Sequence, residues 1–387
     1  MNGIRRILII KLRNIGDVLL TLPTLRAVRE CYPSAYIAML VARGTEPVLT
    51  GNLLLNEVLV SDRGGRHAGR LHSVWGGIRE GLAFIWNVRR MRFDLVIDLT
   101  SGDRAALLGF LSGARYRVAA DPEGAGFFGK KYLYTHRRRR TNRSAHWVER
   151  NLDVVRQIGM DTADRSLRMM VPEVDRKWAM DFLGRHPMRG DRFKIHVHPT
   201  ARWLFKCWPD DAMVTLIDRL IHEEAAQVFL TCGPAGAEQQ KAKRIVAMAR
   251  HKPFDLIGHT TLTQLAALSE QCHLFVGVDT APMHIAAAVG TPVVALFGPT
   301  GLSQWRPWGE GHRVLQENAG CDPNGPSGCT RTKRCLCLER ISVDRVLDEI
   351  RAAREGLRLT TALPASTVPT EPTEPTEGDP SEFSCVP

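Results

Sequence analysis

The chain has 387 residues, 44% of them hydrophobic, which is long for one core and enough for two. Its formal net charge of +11 turns it toward anionic partners: nucleic acid, an acidic membrane surface or phosphorylated substrates. No uninterrupted apolar run is long enough to span a bilayer, and "RRILIIKL" at the N-terminus is too short an apolar core for a secretion signal. The expected location is the cytoplasm, and nine cysteines, an odd number, fit a reducing compartment better than a disulfide framework.

In chain order, "RRILIIKL", "AYIAMLVA", "EVLVSD" and "DLVIDLT" read as buried parallel strands. Helical patterns lie between them, at Leu22, Leu25, Val28 and Tyr32 and over residues 74–92. Trp75, Phe84, Trp86 and Phe93, mixed with Arg79, Arg89, Arg90 and Arg92, suit a core or a membrane interface equally. "GAGFFG" at 124–129 fits G-x-G-x-x-G, but it precedes "KKYLYTH", which reads as strand. The strand–turn–helix context is missing, so the segment is a loop and a dinucleotide oxidoreductase is disfavoured.

Arg137, Arg138, Arg139 and Arg140, with Lys130, Lys131 and Arg143, form a basic run without the aromatic interleaving of RNA-binding modules. A solvated face is the commonest meaning of such a run; a site for acceptor phosphates or anionic lipid headgroups is the functional one. Residues 142–160 form a further helix, and a charged stretch broken by Pro172 and Pro187 marks a boundary. The second half repeats the alternation with "KIHVH", "QVFLTC", "FDLIGH", "HLFVGV" and "PVVALFG" as strands. Two βα arrays predict an α/β protein of two doubly wound domains, residues 1–185 and 190–340. A C-terminal helix over 341–357 and a disordered Pro/Thr/Glu-rich tail over 358–387 complete the expectation.

Four polar clusters follow four strands of the second half: Pro199-Thr200, Gly233-Pro234, Asp279-Thr280 and Gly298-Pro299-Thr300. In a parallel sheet they share the carboxyl edge, where helix N-termini favour a phosphate or pyrophosphate. Any one of them alone makes an ordinary turn or cap. Cys321, Cys329, Cys335 and Cys337 cluster without the C-x-x-C pairs of a zinc site and read as buried or loop thiols.

"VGVDTAPMHIAAAVGTPVVALFGPT" resembles the donor-binding segment of glycosyltransferase family nine, the family of the lipopolysaccharide core heptosyltransferases. "KLRNIGDVLLTLPTLRAVRECYP" resembles that family's N-terminal segment, and "HPTARWLFKCWPDD" its lysine- and tryptophan-bearing donor loop. "CDPNGPSGCTRTKRCLCL" is most like the third core heptosyltransferase subgroup. The resemblance runs in order over about residues 4 to 350 and is loose from 60 to 190. It implies the glycosyltransferase-B fold, with an acceptor-binding N-domain facing a donor-binding C-domain. It implies an inverting transfer of heptose from ADP-heptose to a lipid-linked lipopolysaccharide core, without metal or other cofactor. An anionic inner-membrane surface is the expected further partner, and nucleic acid is not. No Asp-x-Asp element is present, so cationic side chains and helix N-termini are left to stabilise the leaving group.

The resemblance makes Asp17 the catalytic base, while its place at a helix start suits a cap. Gly16 beside it permits a close backbone approach or a tight turn. Lys206 matches a lysine facing the donor phosphates, with Thr200 and Arg202 on the same loop as phosphate or sugar contacts. Asp279 is expected to bind sugar hydroxyls, and Thr280, Ala281 and Pro282 to meet the diphosphate. His284 orients Asp279, touches the donor or is structural; Glu238 holds the nucleotide ribose or faces solvent. Competing readings are another nucleotide sugar on the same fold, a non-catalytic nucleotide-sugar binder, and a basic RNA-binding protein.

Overall fold

From Ile7 onward every residue of strand β1 (Arg6–Lys11) is buried, which only a central strand covered on both faces can achieve. The computed structural model describes residues 3–62, 74–138, 142, 144–185, 192–318, 320 and 329–362. The first sheet contains β1, β2 (Tyr36–Ala42), β3 (Glu57–Ser61), β4 (Leu95–Asp98), β5 (Tyr116–Ala120) and β6 (His136–Arg138), in the order β3-β2-β1-β4-β5-β6. The second contains β7 (Lys194–His198), β8 (Gln227–Leu230), β9 (Phe254–Asp255), β10 (Leu274–Val278), β11 (Val293–Phe297) and β12 (Arg313–Gln316), in the order β12-β11-β10-β7-β8-β9. All pairings are parallel. Each order reverses once, between β1 and β4 and between β7 and β10. Those reversals open the two crevices where such sheets hold ligands. The expected architecture of two doubly wound parallel sheets is what the chain adopts.

Ten helices position the features used below: α1 (Ile15–Leu19), α2 (Leu22–Cys31), α3 (Val74–Arg90), α4 (Asp103–Leu111), α5 (Trp147–Arg156), α6 (Glu173–Arg185), α7 (Asp210–His222), α8 (Gly236–Met248), α9 (Leu262–Glu270) and α10 (Ala281–Ala288). Helix α3 ends at Arg90 rather than at residue 92, because Arg92 takes a left-handed φ of 50°. Helix α5 starts only at Trp147, where the His146 ring accepts a hydrogen bond from the Val148 amide, and not at 142. The last helix, Val343–Ala362, runs past residue 357 to 362, and the tail beyond it lies outside the described residues.

"KKYLYTH" is not a strand. Lys130–Leu133 forms a 3-10 turn, because the buried Lys130 ammonium is drawn to Asp103 (3.0 Å) and the Ser101 carbonyl (2.8 Å). Only His136–Arg138 joins the sheet, pairing with β5. Strands β5 and β12 were not anticipated from the sequence; β5 carries Arg117 and β12 is a half-exposed edge of four residues, so neither shows a clean apolar run.

The two halves share a core. Ile7, Ile9, Val18, Leu19, Leu25 and Val28 of the first half form one buried cluster with Leu265, Ala266, Ala267, Ile285 and Ala288 of α9 and α10. Helix α6 packs on α9, with Arg176 paired to Glu270 at 2.7 Å.

Candidate active site

The β1–α1 turn begins as β1 runs out of sheet at Lys11. Asn14 caps α1 with extended backbone, and Asp17, at the third helical position, accepts from the Asn14 amide at 3.3 Å and from its side-chain nitrogen at 3.5 Å, both through Oδ2. Asn14, not Asp17, is thus the cap residue, and Asp17 completes a capping box from the third position, at long distance and through one oxygen. The half-buried carboxylate keeps Oδ1 for another partner.

Helix α1 rests on α10. A β carbon built on Gly16 would stand 2.9 Å from Cδ2 of His284, so glycine is what lets the two helices meet. His284 is buried, and its Nδ1 has no hydrogen-bond partner among the described residues. Burial pushes its pKa down to about 4, although Asp279 acts in the opposite sense. The neutral ring therefore keeps a donor or acceptor position unused at Nδ1 among the described residues.

Across the β7–β10 crevice, Lys206 Nζ donates to Asp279 Oδ2 at 2.9 Å. The lysine loop is held at both ends. The Ala201 amide donates to Cys207 Sγ at 3.2 Å, and the fully buried Trp208 donates from Nε1 to the Ile341 carbonyl at 3.2 Å. Asp279 ends the strand that Thr280 converts into α10, with Ala281 and Pro282 as the first helical residues. Proline at the second position removes a donor there and the Met283 amide donates back to the Thr280 carbonyl at 3.1 Å, so the Ala281 amide is the first-turn donor toward the edge.

The third group lies beside β8. Thr200 is fully buried; its Oγ1 accepts from the Gly233 amide at 3.1 Å and its hydroxyl bonds the Glu238 carboxylate. A β carbon on Gly233 would collide with that carboxylate, so a larger residue there would displace the Glu238 side chain. Burial raises the Glu238 pKa, opposed by Thr200 and by the charge of Arg202. Glu238 is thus buried against the sheet edge rather than facing solvent. Arg202 is exposed and lies over Trp203, 5.9 Å from the ring centroid.

All four polar clusters of the second half therefore reach one edge, as their spacing predicts. The arginine run sits elsewhere, on the outer edge strand β6. Arg137 pairs with Asp121 at 3.6 Å and Arg138 is exposed; Arg139 and Arg140 lie outside the described residues. Phe84 and Phe93 pack in a core of the first half, while Trp86 is turned outward under Arg90. Cys329, Cys335 and Cys337 are buried, and burial pushes the Cys335 thiol up to about 12. Cys321 lies outside the described residues.

Sequence reading missed a cavity of about 340 Å³ on the carboxyl edge of the first sheet. It is lined by Arg13, Ser61, Thr100, Gly102, Asp103 and Arg104 among others. Arg104 donates to Ser61 Oγ (2.8 Å) and the Asp62 carbonyl (2.6 Å), and Arg13 only weakly to the Thr100 carbonyl (3.4 Å). The nearby carboxylates are engaged: Asp103 by Lys130, Asp62 by Arg43, Asp98 by Tyr134 (2.5 Å). Two guanidinium groups thus line the cavity with only neutral acceptors bound among the described residues.

Residues 82–334, more than half the chain, match the family model "Glycosyltransferase family 9 (heptosyltransferase)". The chain belongs to that family. This family 9 glycosyltransferase is 34% identical over 312 residues to lipopolysaccharide heptosyltransferase 3 of Escherichia coli K12, covering 79% of this chain and 85% of that protein. Its fold matches the family 9 glycosyl transferase of Veillonella parvula DSM 2008 with a TM-score of 0.78, at 23% identity, over 92% of this chain and 99% of that one. It also matches the E. coli heptosyltransferase WaaC with ADP, with a TM-score of 0.67 at 22% identity, over 90% of this chain and 99% of that one.

Proposed function

We propose that this glycosyltransferase moves heptose from ADP-heptose to a hydroxyl of a lipopolysaccharide core, with inversion at the anomeric carbon. The observation that carries the reading is the seating of Gly16 on His284. Asp17 is the residue after Gly16, and Asp279 and Thr280 lead into the helix of His284, which supports a base and a donor edge, with Lys206 on Asp279, that work together. The relatives named for lipopolysaccharide heptosyl transfer and for ADP support the choice of acceptor and nucleotide.

In the proposed reaction the acceptor oxygen attacks the anomeric carbon and its proton passes to Asp17. The bond from that carbon to the diphosphate oxygen breaks, and ADP leaves with the electron pair. Lys206, swung from Asp279 toward the diphosphate, and the Ala281 amide at the start of α10 stabilise the charge gathering there. Asp279, freed of its lysine, accepts from sugar hydroxyls; His284 bonds the donor through Nδ1; Glu238 accepts from the ribose, with Thr200 and Arg202 beside it. No step requires a metal ion. The first half, residues 1–185, supplies the acceptor site in the Arg13–Arg104 cavity, and residues 190–340 hold the donor. A cytoplasmic enzyme docked on the anionic inner-membrane surface would meet its lipid-linked acceptor there.

The deciding experiment incubates the enzyme with ADP-heptose and an isolated core acceptor, then reads the new anomeric linkage by NMR. A parallel calorimetric titration compares ADP, GDP and UDP. Tightest binding of ADP with heptose transfer supports the reading. Equal binding of all three nucleotides would move the assignment to another nucleotide sugar on the same fold.

A further inference from the structure

The segment between β5 and β6 has a rigid root and an apolar tip. At the root, buried Lys130 ties the chain to Asp103 and to the Ser101 carbonyl, at the start of α4. Gly126 there has a φ of 93°, and a β carbon on it would collide with the Asp103 carboxylate, so the root is closely fitted. The tip is the reverse. Phe128 is fully exposed at 103%, Tyr132 is 71% exposed, and Phe127 is also exposed. Two adjacent phenylalanines held in water by a short, well-anchored turn lose hydrophobic free energy that nothing within the described residues recovers.

The apolar surface continues onto α4, which packs against the Lys130–Leu133 turn and leaves Leu107 and Phe110 exposed. Basic groups frame it: Lys131 lies over the Tyr132 ring (5.1 Å), Arg117 over Phe110 (5.5 Å), and Arg138 is exposed on β6. Of the acids near the root, Asp103 and Asp121 are paired with Lys130 and Arg137, and Glu123 is exposed. Aromatic side chains interleaved with cations are the chemistry of the interface of an anionic bilayer. There rings enter the headgroup level and ammonium and guanidinium groups meet phosphates.

We propose that the Phe127–Phe128 turn, with Leu107, Phe110 and Tyr132 around it, is an anchor that inserts into an anionic lipid surface. The proposal rests on the reading that the acceptor is lipid-linked. Gly102, Asp103 and Arg104, at the root of the anchor, also line the first-half cavity. Inserting the tip would therefore hold that cavity over the bilayer, where a lipid-borne glycan enters it.

The test compares the full-length wild type with Phe127→Ser/Phe128→Ser and with Lys131→Glu. Sedimentation is measured with vesicles of phosphatidylcholine, with and without phosphatidylglycerol. The double variant should lose binding to anionic vesicles about tenfold or more. Lys131→Glu should weaken the anionic but not the neutral arm. The kcat/KM on a water-soluble acceptor fragment should stay at the wild-type value for both. Wild-type vesicle binding by the double variant would overturn the anchor. An equal loss on the soluble acceptor would also overturn it, because the loop would then contact glycan rather than lipid. The vesicle arm uses neither donor nor acceptor, so it stands or falls independently of which sugar is transferred.

Discussion

Gly16 and His284 meet across the two halves of the molecule, with space for a hydrogen between them and none for a methyl group. Gly16→Ala must displace the buried His284 ring, α1 or α10 by several tenths of an ångström, and Asp17 is the next residue. We expect turnover to fall about tenfold to a hundredfold while the Kd for ADP changes little, since geometry between base and donor is lost rather than donor contacts. Steady-state kinetics and calorimetry on the variant separate the two. A matching loss in ADP affinity would show that α10, not α1, gives way.

Asp17→Asn tests base against cap. The capping bond to the Asn14 amide is long, and its loss is worth no more than about 1 kcal/mol, so Tm should move by a few degrees at most. Transfer should drop by about 10²-fold or more, with nucleotide binding intact. A stable variant that turns over like wild type would leave Asp17 only its cap.

Lys206→Ala should lower kcat more than it weakens donor binding, because charge on the leaving diphosphate is greatest in the transition state. The variant also leaves Asp279, itself mostly buried, without its cation. Lys206→Ala/Asp279→Asn should then recover stability relative to Lys206→Ala without recovering turnover. Recovery of both in the double variant would make the pair purely structural.

Arg104→Gln probes the first-half cavity. Among the described residues its guanidinium holds the Ser61 hydroxyl and the Asp62 carbonyl. The substitution should raise acceptor KM about tenfold, leave donor KM unchanged, and lose its effect as salt rises. A change confined to donor KM would place the acceptor elsewhere.

Acid should destabilise the fold through its buried histidines. His196 bonds Ser269 (2.8 Å) and Thr231 (2.7 Å), and His198 bonds the same Thr231 (2.8 Å). Burial pushes His196 well below 6.5, His198 to about 3, and His146 and His284 to about 4. Below about pH 6.5 the unfolded chain takes up protons that the folded protein refuses. Stability is therefore full above that pH and declines toward the folded values, by at most about 1.4 kcal/mol per pH unit for each histidine. Urea midpoints followed between neutral pH and about pH 4.5 should fall steadily, and a flat profile would contradict the buried neutral rings.

The second half was readable because its chemistry is local. Each of the clusters at Thr200, Gly233, Asp279 and Gly298 directly follows an apolar strand, so position along the chain gives position on the sheet edge. The first half hides its cavity. Arg13 and Arg104 lie far apart in sequence and meet only because β1 and β4 are neighbours, which no periodicity announces. "KKYLYTH" alternates like a strand, yet one buried ammonium bonded to α4 outweighs that pattern. The pairing of residue 16 with residue 284 is likewise a fact of packing between sheets. Only the glycine hinted at it.

The apolar cluster that runs from β1 and α2 into α9 and α10 bears on how such a protein can be recombined. A chimaera that takes its first half from a relative inherits Val18, Leu19 and Leu25 shaped to a different Leu265, Ile285 and Ala288. Graft points at the chain's midpoint cut through this interlock. A transplant that carries both sides of it should express as a soluble protein, where a clean exchange of halves precipitates.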